Sequence, residues 1–222
     1  MTDSGAFSET SLNPAVRGYL HSPASANGDA LILSHGAGGN CNAPLLVALA
    51  QAFSEQGWTV LRCDLPFRQD RPTGPPFPGN AERDRSGLRN AVAAMRELIS
   101  RRIFLGGHSY GGRQSTMLCA EEPELVSGLL LLSYPLHPPR KPEQLRVQHL
   151  PSLPTPSLFV HGTRDPFGNI EEVKQALALI PAKKSLLEVE DAGHDLGFKG
   201  SPGRTSLPPR FVERFAEFVE NA

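Results

Sequence analysis

Apolar positions along this chain fall into two kinds of run. Short, mostly unbroken stretches recur at residues 30–33, 59–63, 102–105, 126–132, 157–160 and 185–189. Runs of that length without polar alternation suit strands buried on both faces of a sheet. Between them lie longer segments at 43–56, 83–99, 113–120, 170–180 and 209–220. In the first, apolar residues fall at Leu46, Leu49, Ala50 and Phe53, and in the last at Phe211, Val212, Phe215, Phe218 and Val219. Spacing of three and four predicts helices with one apolar face. Gly57 is placed to end the first helix. Segment 15–21 alternates and reads as an early strand, followed by the turn signal Asn27-Gly28-Asp29. Strand and helix then alternate to the end with no internal repeat. That order predicts an α/β fold, with a mostly parallel central sheet and helices on both faces.

Two connections are rich in proline, residues 64–79 and 136–156, and their prolines argue against an ordinary helix or a central strand. The second is about twenty residues long, too short for a large cap domain. Residues 1–13 are polar and rich in Ser and Thr, and are expected to form a flexible tail ahead of a single domain at 14–222. A net charge of −1 gives no bulk attraction to nucleic acid or to an anionic membrane. No apolar run approaches the ~20 residues of a membrane span, and the first residues lack the pattern of a signal peptide. Cys41, Cys63 and Cys119 form no C-x-x-C pair, which suits a cytoplasmic protein with buried thiols.

The unusual residues cluster where strands are expected to end, which is where parallel sheets carry their sites. Gly107-His108-Ser109-Tyr110-Gly111 has the form G-x-S-x-G, between an apolar run and a helical one. Such a turn holds its serine in a strained conformation and needs small neighbours, here Gly107 and Gly111. An alcohol needs a base to become a nucleophile, and the base needs an orienting group. Ser109 is the candidate nucleophile, His194 the base and Asp165 the acid. Asp191 and Asp195 flank His194 too closely to point back at its ring easily, and Ser133-Tyr134-Pro135 supplies no carboxylate. An oxyanion hole would take the backbone N–H of Tyr110 and that of Ala37, in His35-Gly36-Ala37-Gly38-Gly39. That glycine-rich stretch could also be a turn chosen for its freedom alone, and it lacks the form of a phosphate-binding loop.

His35, His108, His161 and His194 all fall at strand ends, which raises a metal site as a rival. No H-E-x-x-H or related spacing is present, so no metal and no organic cofactor is expected. Candidate substrate contacts are His35, Phe67, Arg68, His108 and Tyr134, although His35 and His161 also suit a role in pinning loops, and the aromatic residues could be core. Arg113, one turn beyond Ser109, and Arg68 could each meet an acidic substrate group or sit in a structural ion pair.

These motifs together resemble the α/β-hydrolase superfamily. The resemblance rests on His35-Gly36 with its glycines, Gly107-His108-Ser109-Tyr110-Gly111, His161-Gly162-Thr163-Arg164-Asp165 and Gly193-His194. The order Ser, Asp, His is that of the superfamily. The short layout is similar to the dienelactone-hydrolase-like branch, which often has a cysteine where this chain has Ser109. A closer resemblance is to the α/β-hydrolase-like domain shared by a testis-expressed protein and a subunit of the non-specific-lethal chromatin complex. It is carried by the loop at His35, by Gly111-Gly112-Arg113 and by Tyr134-Pro135-Leu136-His137-Pro138. The resemblance implies a serine hydrolase acting on a small-molecule ester or thioester. It also leaves open a non-enzymatic binding module on the same scaffold, or acyl transfer by the same triad. A short acyl group in an open, shallow pocket is expected, shaped by residues 64–79, 136–156 and 197–208. The exposed side of the last helix is a candidate contact surface for another chain.

Overall fold

The structure is a computed structural model that describes residues 3–198 and 206–220. Its strands are β1 (Asp3–Glu9), β2 (Val16–Ser22), β3 (Ala30–Ser34), β4 (Thr59–Cys63), β5 (Ile103–His108), β6 (Leu129–Leu132), β7 (Ser157–Gly162) and β8 (Lys184–Val189). Its helices are α1 (Pro44–Glu55), α2 (Pro66–Asp70), α3 (Asn80–Arg96), α4 (Tyr110–Glu121), α5 (Ile170–Leu177) and α6 (Leu207–Glu220). The strands form one sheet in the order β1-β2-β4-β3-β5-β6-β7-β8. Every pairing from β4 to β8 is parallel, and only the β1–β2 and β2–β4 pairings are antiparallel.

The unbroken apolar strands are explained by burial on both sides. Along β3, Ile32 faces one core with Leu61 and Leu105, while Leu31 and Leu33 face the other with Phe104 and Leu130. The first core is closed by α3, α4 and α5, through Leu88, Val92, Leu118 and Val173 among others. The second is closed by α1 and α6, where Phe53, Trp58, Phe104 and Phe215 meet edge to face or tilted at 5.3–5.9 Å. Alternate residues of one strand thus serve different helical layers, and a single polar substitution in β3 would meet a core on either side.

Two expectations are corrected. Asp3–Glu9, expected within a flexible tail, is a strand that pairs along its length with β2, from Asp3 opposite Ser22 to Glu9 opposite Val16. An edge strand is held by backbone hydrogen bonds and needs little apolar surface, so a hydrophobic pattern does not reveal it. The Pro-rich connection at 64–79 also holds a helix, α2, because Pro66 occupies its first position, where a missing N–H costs nothing. The second Pro-rich connection contains only a single 3-10 turn at Leu150–Ser152, so it builds no helical cap over the sheet. No helix among the described residues is long and apolar enough to cross a membrane.

Candidate active site

Ser109 sits between β5 and α4 with φ 51° and ψ −114°. A side chain in that region carries strain of order 1–3 kcal/mol, held here by what surrounds it. The Ser109 N–H donates to the Leu132 carbonyl at 2.8 Å, and its carbonyl accepts the Arg113 N–H at 3.0 Å. The turn lies so close to β3 that its flanking glycines are required. A Cβ on Gly107 would come within 2.3 Å of Ser34 Oγ, and one on Gly111 within 2.4 Å of the same atom.

The loops after β7 and β8 bring Asp165 and His194 to this turn. Asp165 is buried and accepts from His194 Nδ1, at 2.8 Å to Oδ2 and 3.1 Å to Oδ1. A carboxylate has no proton to give, so Nδ1 carries the hydrogen and Nε2 is left as an acceptor. The Ser109 hydroxyl donates to that Nε2 at 2.8 Å. The two loops are tied together where the Arg164 N–H donates to the Ala192 carbonyl at 2.9 Å. His161 leans toward Asp165 at 3.7 Å, too far for a hydrogen bond, and gives its Nε2–H to the Gly168 carbonyl at 2.8 Å. Burial holds the His161 pKa below its ordinary value, which keeps it neutral beside the carboxylate.

A residue that sequence reasoning passed over is Phe167, whose ring stacks on His194. Its N–H donates to Asp165 Oδ1 at 2.9 Å, so one short turn fixes the acid and the ring together. The signal was the run Asp165-Pro166-Phe167, with an aromatic two residues past a candidate acid. A second is Asp84 of α3, fully buried, which accepts the Tyr110 hydroxyl at 2.7 Å and the Phe67 N–H at 3.0 Å. Burial pushes its carboxyl upward and pushes the Tyr110 phenol up as well. Nothing local in a helix sequence marks such a contact.

The cavity at Ser109 has a volume of about 870 Å³, within the range of small-molecule sites. His108 and Ala37 line it, together with Arg113, Arg146, Phe167 and the apolar run Ala43 to Leu46. His35, Phe67, Arg68 and Tyr134, expected as substrate contacts, are buried and do not line it. His35 donates from Nδ1 to the Gly36 carbonyl at 2.8 Å and accepts the Leu65 N–H at Nε2 at 3.1 Å, so both ring nitrogens are occupied. Arg68 gives its guanidinium to four backbone carbonyls, those of Gly39, Ala37, Gly74 and Arg71, at 2.7–3.1 Å. Phe67 packs edge-on between His35 and Tyr110. The Tyr134 hydroxyl donates to the Arg146 carbonyl at 2.9 Å. The connection at 64–79 therefore supports the site from below, and the wall comes from β3–α1 instead. Of the third expected loop, residues 199–205 lie outside the described residues, while Phe198 reaches the cavity.

Two features bear on the Ala37 N–H. The Gly36 carbonyl is turned toward His35 Nδ1 and the Gly39 N–H, the latter at 3.0 Å. In a trans peptide the Ala37 N–H points the opposite way. The Tyr110 N–H is in the first turn of α4, where no carbonyl of the helix can receive it. All three cysteines are buried, and burial pushes Cys41 and Cys119 up to about 12 and raises Cys63 as well. Among the described residues no three His, Cys, Asp or Glu side chains converge as a metal-binding group.

A mostly parallel sheet clothed by helices, with a strained serine on the turn after its middle strand, defines the α/β-hydrolase class of fold. The chain belongs to the alpha/beta hydrolase domain family, whose model matches residues 27–220. Solved structures share the architecture across nearly the whole chain. A dienelactone hydrolase from Anabaena variabilis is 21% identical, with a TM-score of 0.74 over 97% of this chain and 98% of its own. Est1E from Butyrivibrio proteoclasticus is 17% identical, with a TM-score of 0.74 over 98% and 100%. XC6422 from Xanthomonas campestris, described as a serine hydrolase without a lid, is 18% identical, with a TM-score of 0.72 over 97% and 96%. At these identities the likeness is one of fold.

Proposed function

We propose that this protein is a serine hydrolase that cleaves an ester or thioester of a small molecule, with Ser109 as nucleophile, His194 as base and Asp165 as its orienting acid. The observation that carries this reading is the unbroken relay from Ser109 Oγ through the His194 ring to the buried Asp165 carboxylate, at 2.8 Å on each side, opening on a cavity. Ser109 Oγ bonds to the acyl carbon as its proton passes to His194 Nε2, and Asp165 stabilises the imidazolium. The negative charge on the former carbonyl oxygen is met by the N–H groups of Tyr110 and Ala37. When the bond to the leaving group breaks, His194 returns its proton to the departing alcohol or thiol. Water then attacks the acyl-enzyme, gives its proton to His194, and releases the acid as that proton restores the serine. No cofactor enters these steps.

The reading is supported further by membership of the hydrolase family and by a serine hydrolase among proteins of the same fold. The test is labelling of Ser109 by a fluorophosphonate, together with turnover of p-nitrophenyl esters of graded chain length. Ser109→Ala should abolish both with the circular dichroism spectrum retained. Well-folded protein that neither labels nor turns over any ester would overturn the reading in favour of a binding module on this scaffold. Product analysis with competing alcohol or peroxide acceptors separates hydrolysis from acyl transfer.

A further inference from the structure

The cavity wall formed by α4 and the Pro-rich connection after β6 carries two arginines, Arg113 and Arg146. Arg113 stands one helical turn after Ser109, about 6 Å along the axis. Arg146 is fixed through its backbone, its N–H on the Leu136 carbonyl at 2.8 Å and its carbonyl receiving the Tyr134 hydroxyl at 2.9 Å, while its Nη1 donates to the Pro135 carbonyl at 3.2 Å. Neither guanidinium pairs with a carboxylate among the described residues, whereas Arg83, Arg85, Arg89, Arg102, Arg164 and Arg214 all do. The buried Nε of Arg113 has no hydrogen-bond partner among the described residues.

The two cations act on one another. Burial first, and Arg113 second, hold Arg146 below the usual arginine range. His149, on the far side of Thr116, is pushed down to about 4 by burial and then by Arg113 and Arg85. The carboxylate that lines this cavity, Asp195, is felt by His108 and accepts the Gly197 N–H at 3.0 Å, so it belongs to the other end. Two like charges placed together at a cavity wall destabilise the empty site, and an anion between them removes that cost and gains charge-assisted hydrogen bonds.

We propose that Arg113 and Arg146 form an anion subsite for a carboxylate carried by the substrate about one helical turn from the bond that is cut. The proposal rests on Ser109 as the nucleophile, and it narrows the substrate class to half-esters or half-thioesters of short dicarboxylic acids. Carboxylate is chosen over phosphate because the chain has no glycine-rich phosphate loop, while a guanidinium fork matches a carboxylate with two parallel bonds.

The experiment compares the p-nitrophenyl half-ester of glutaric acid with p-nitrophenyl valerate, which has the same carbon count but no charge. Wild-type kcat/KM should favour the half-ester by at least about tenfold, and Arg113→Met and Arg146→Met should each lower that ratio by about tenfold or more. Arg113→Lys should recover part of the preference. A wild-type ratio near one, or a ratio that neither methionine variant moves, overturns the proposal. Monomethyl glutarate binding to Ser109→Ala protein, followed by calorimetry, separates this idea from the hydrolase reading. If the wild type cleaves no ester, binding that weakens about tenfold in Arg113→Met would still sustain the anion subsite. Absence of binding at millimolar concentration would end it.

Discussion

The ring of Phe167 lies nearly parallel to the imidazole of His194, with centroids 4.1 Å apart and planes inclined by 29°. One face of the imidazole is therefore closed to water, and the ring cannot swing away from the line between Asp165 and Ser109 without losing that contact. An aromatic stack of this kind is worth about 0.5–1.5 kcal/mol.

Phe167→Ala should lower kcat by about 10- to 100-fold with a smaller change in KM, because the base loses its alignment more than the substrate loses contact. Phe167→Tyr should retain most of the rate. Steady-state kinetics on a p-nitrophenyl ester checks this, and a change confined to KM would contradict the positioning role.

Ser109 stores backbone strain at φ 51°. Glycine has no Cβ to be strained there, so Ser109→Gly should be inactive yet more stable than the wild type by about 1 kcal/mol. Urea unfolding of the two proteins reads the difference, and the midpoint should rise without a change in slope.

Arg68→Met would leave four backbone carbonyls of the loops around Gly39 and Gly74 without their donor. Unfolding should become easier by about 2–4 kcal/mol, and fluorophosphonate labelling of Ser109 should slow as the loop that carries Ala37 loosens. A variant that labels at the wild-type rate would show that the loop holds its shape unaided.

Burial, with nearby cationic side chains second, holds His149 down to about 4; burial followed by the adjacent His194 ring does the same for His108. Unfolding returns both rings to the ordinary range near 6.5, so between about 6.5 and 4 the unfolded chain binds more protons than the folded one. Their contribution is complete above that window and is lost as pH falls through it, on the order of 3 kcal/mol for each ring. Urea midpoints measured from pH 7 to pH 4 should fall, and the fall should be shallower in His149→Gln, whose amide can still donate to Thr116 Oγ1.

The alternation of short apolar runs with three-and-four spacing was enough to order the strands and, α2 aside, the helices from Ala30 to Glu220, because burial on two faces leaves a local signature in each strand. That Ser109, Asp165 and His194 meet at one edge of the sheet could be anticipated for a related reason. Each follows a strand of that pattern, and parallel strands deliver their C-terminal ends to one edge of the sheet. The strand Asp3–Glu9 was not legible, since backbone pairing to β2 asks for no apolar residue. The helix α2 was hidden by its proline, which sits at the position where a helix tolerates it.

Sequence alone determined which residue types stand at the ends of the strands, since a G-x-S-x-G turn and the later aspartate and histidine are local features set by chain order. Tertiary structure decided which other side chains face the cavity. His35 and Arg68 have the chemistry of ligand-binding groups, yet their donors and acceptors are consumed by backbone groups from other loops. Arg113 and Arg146 are 33 positions apart in the chain, and no pattern links them until α4 and the connection after β6 fold onto one wall. Whether a polar side chain is occupied or available depends on contacts between distant segments, and only the fold sets those contacts.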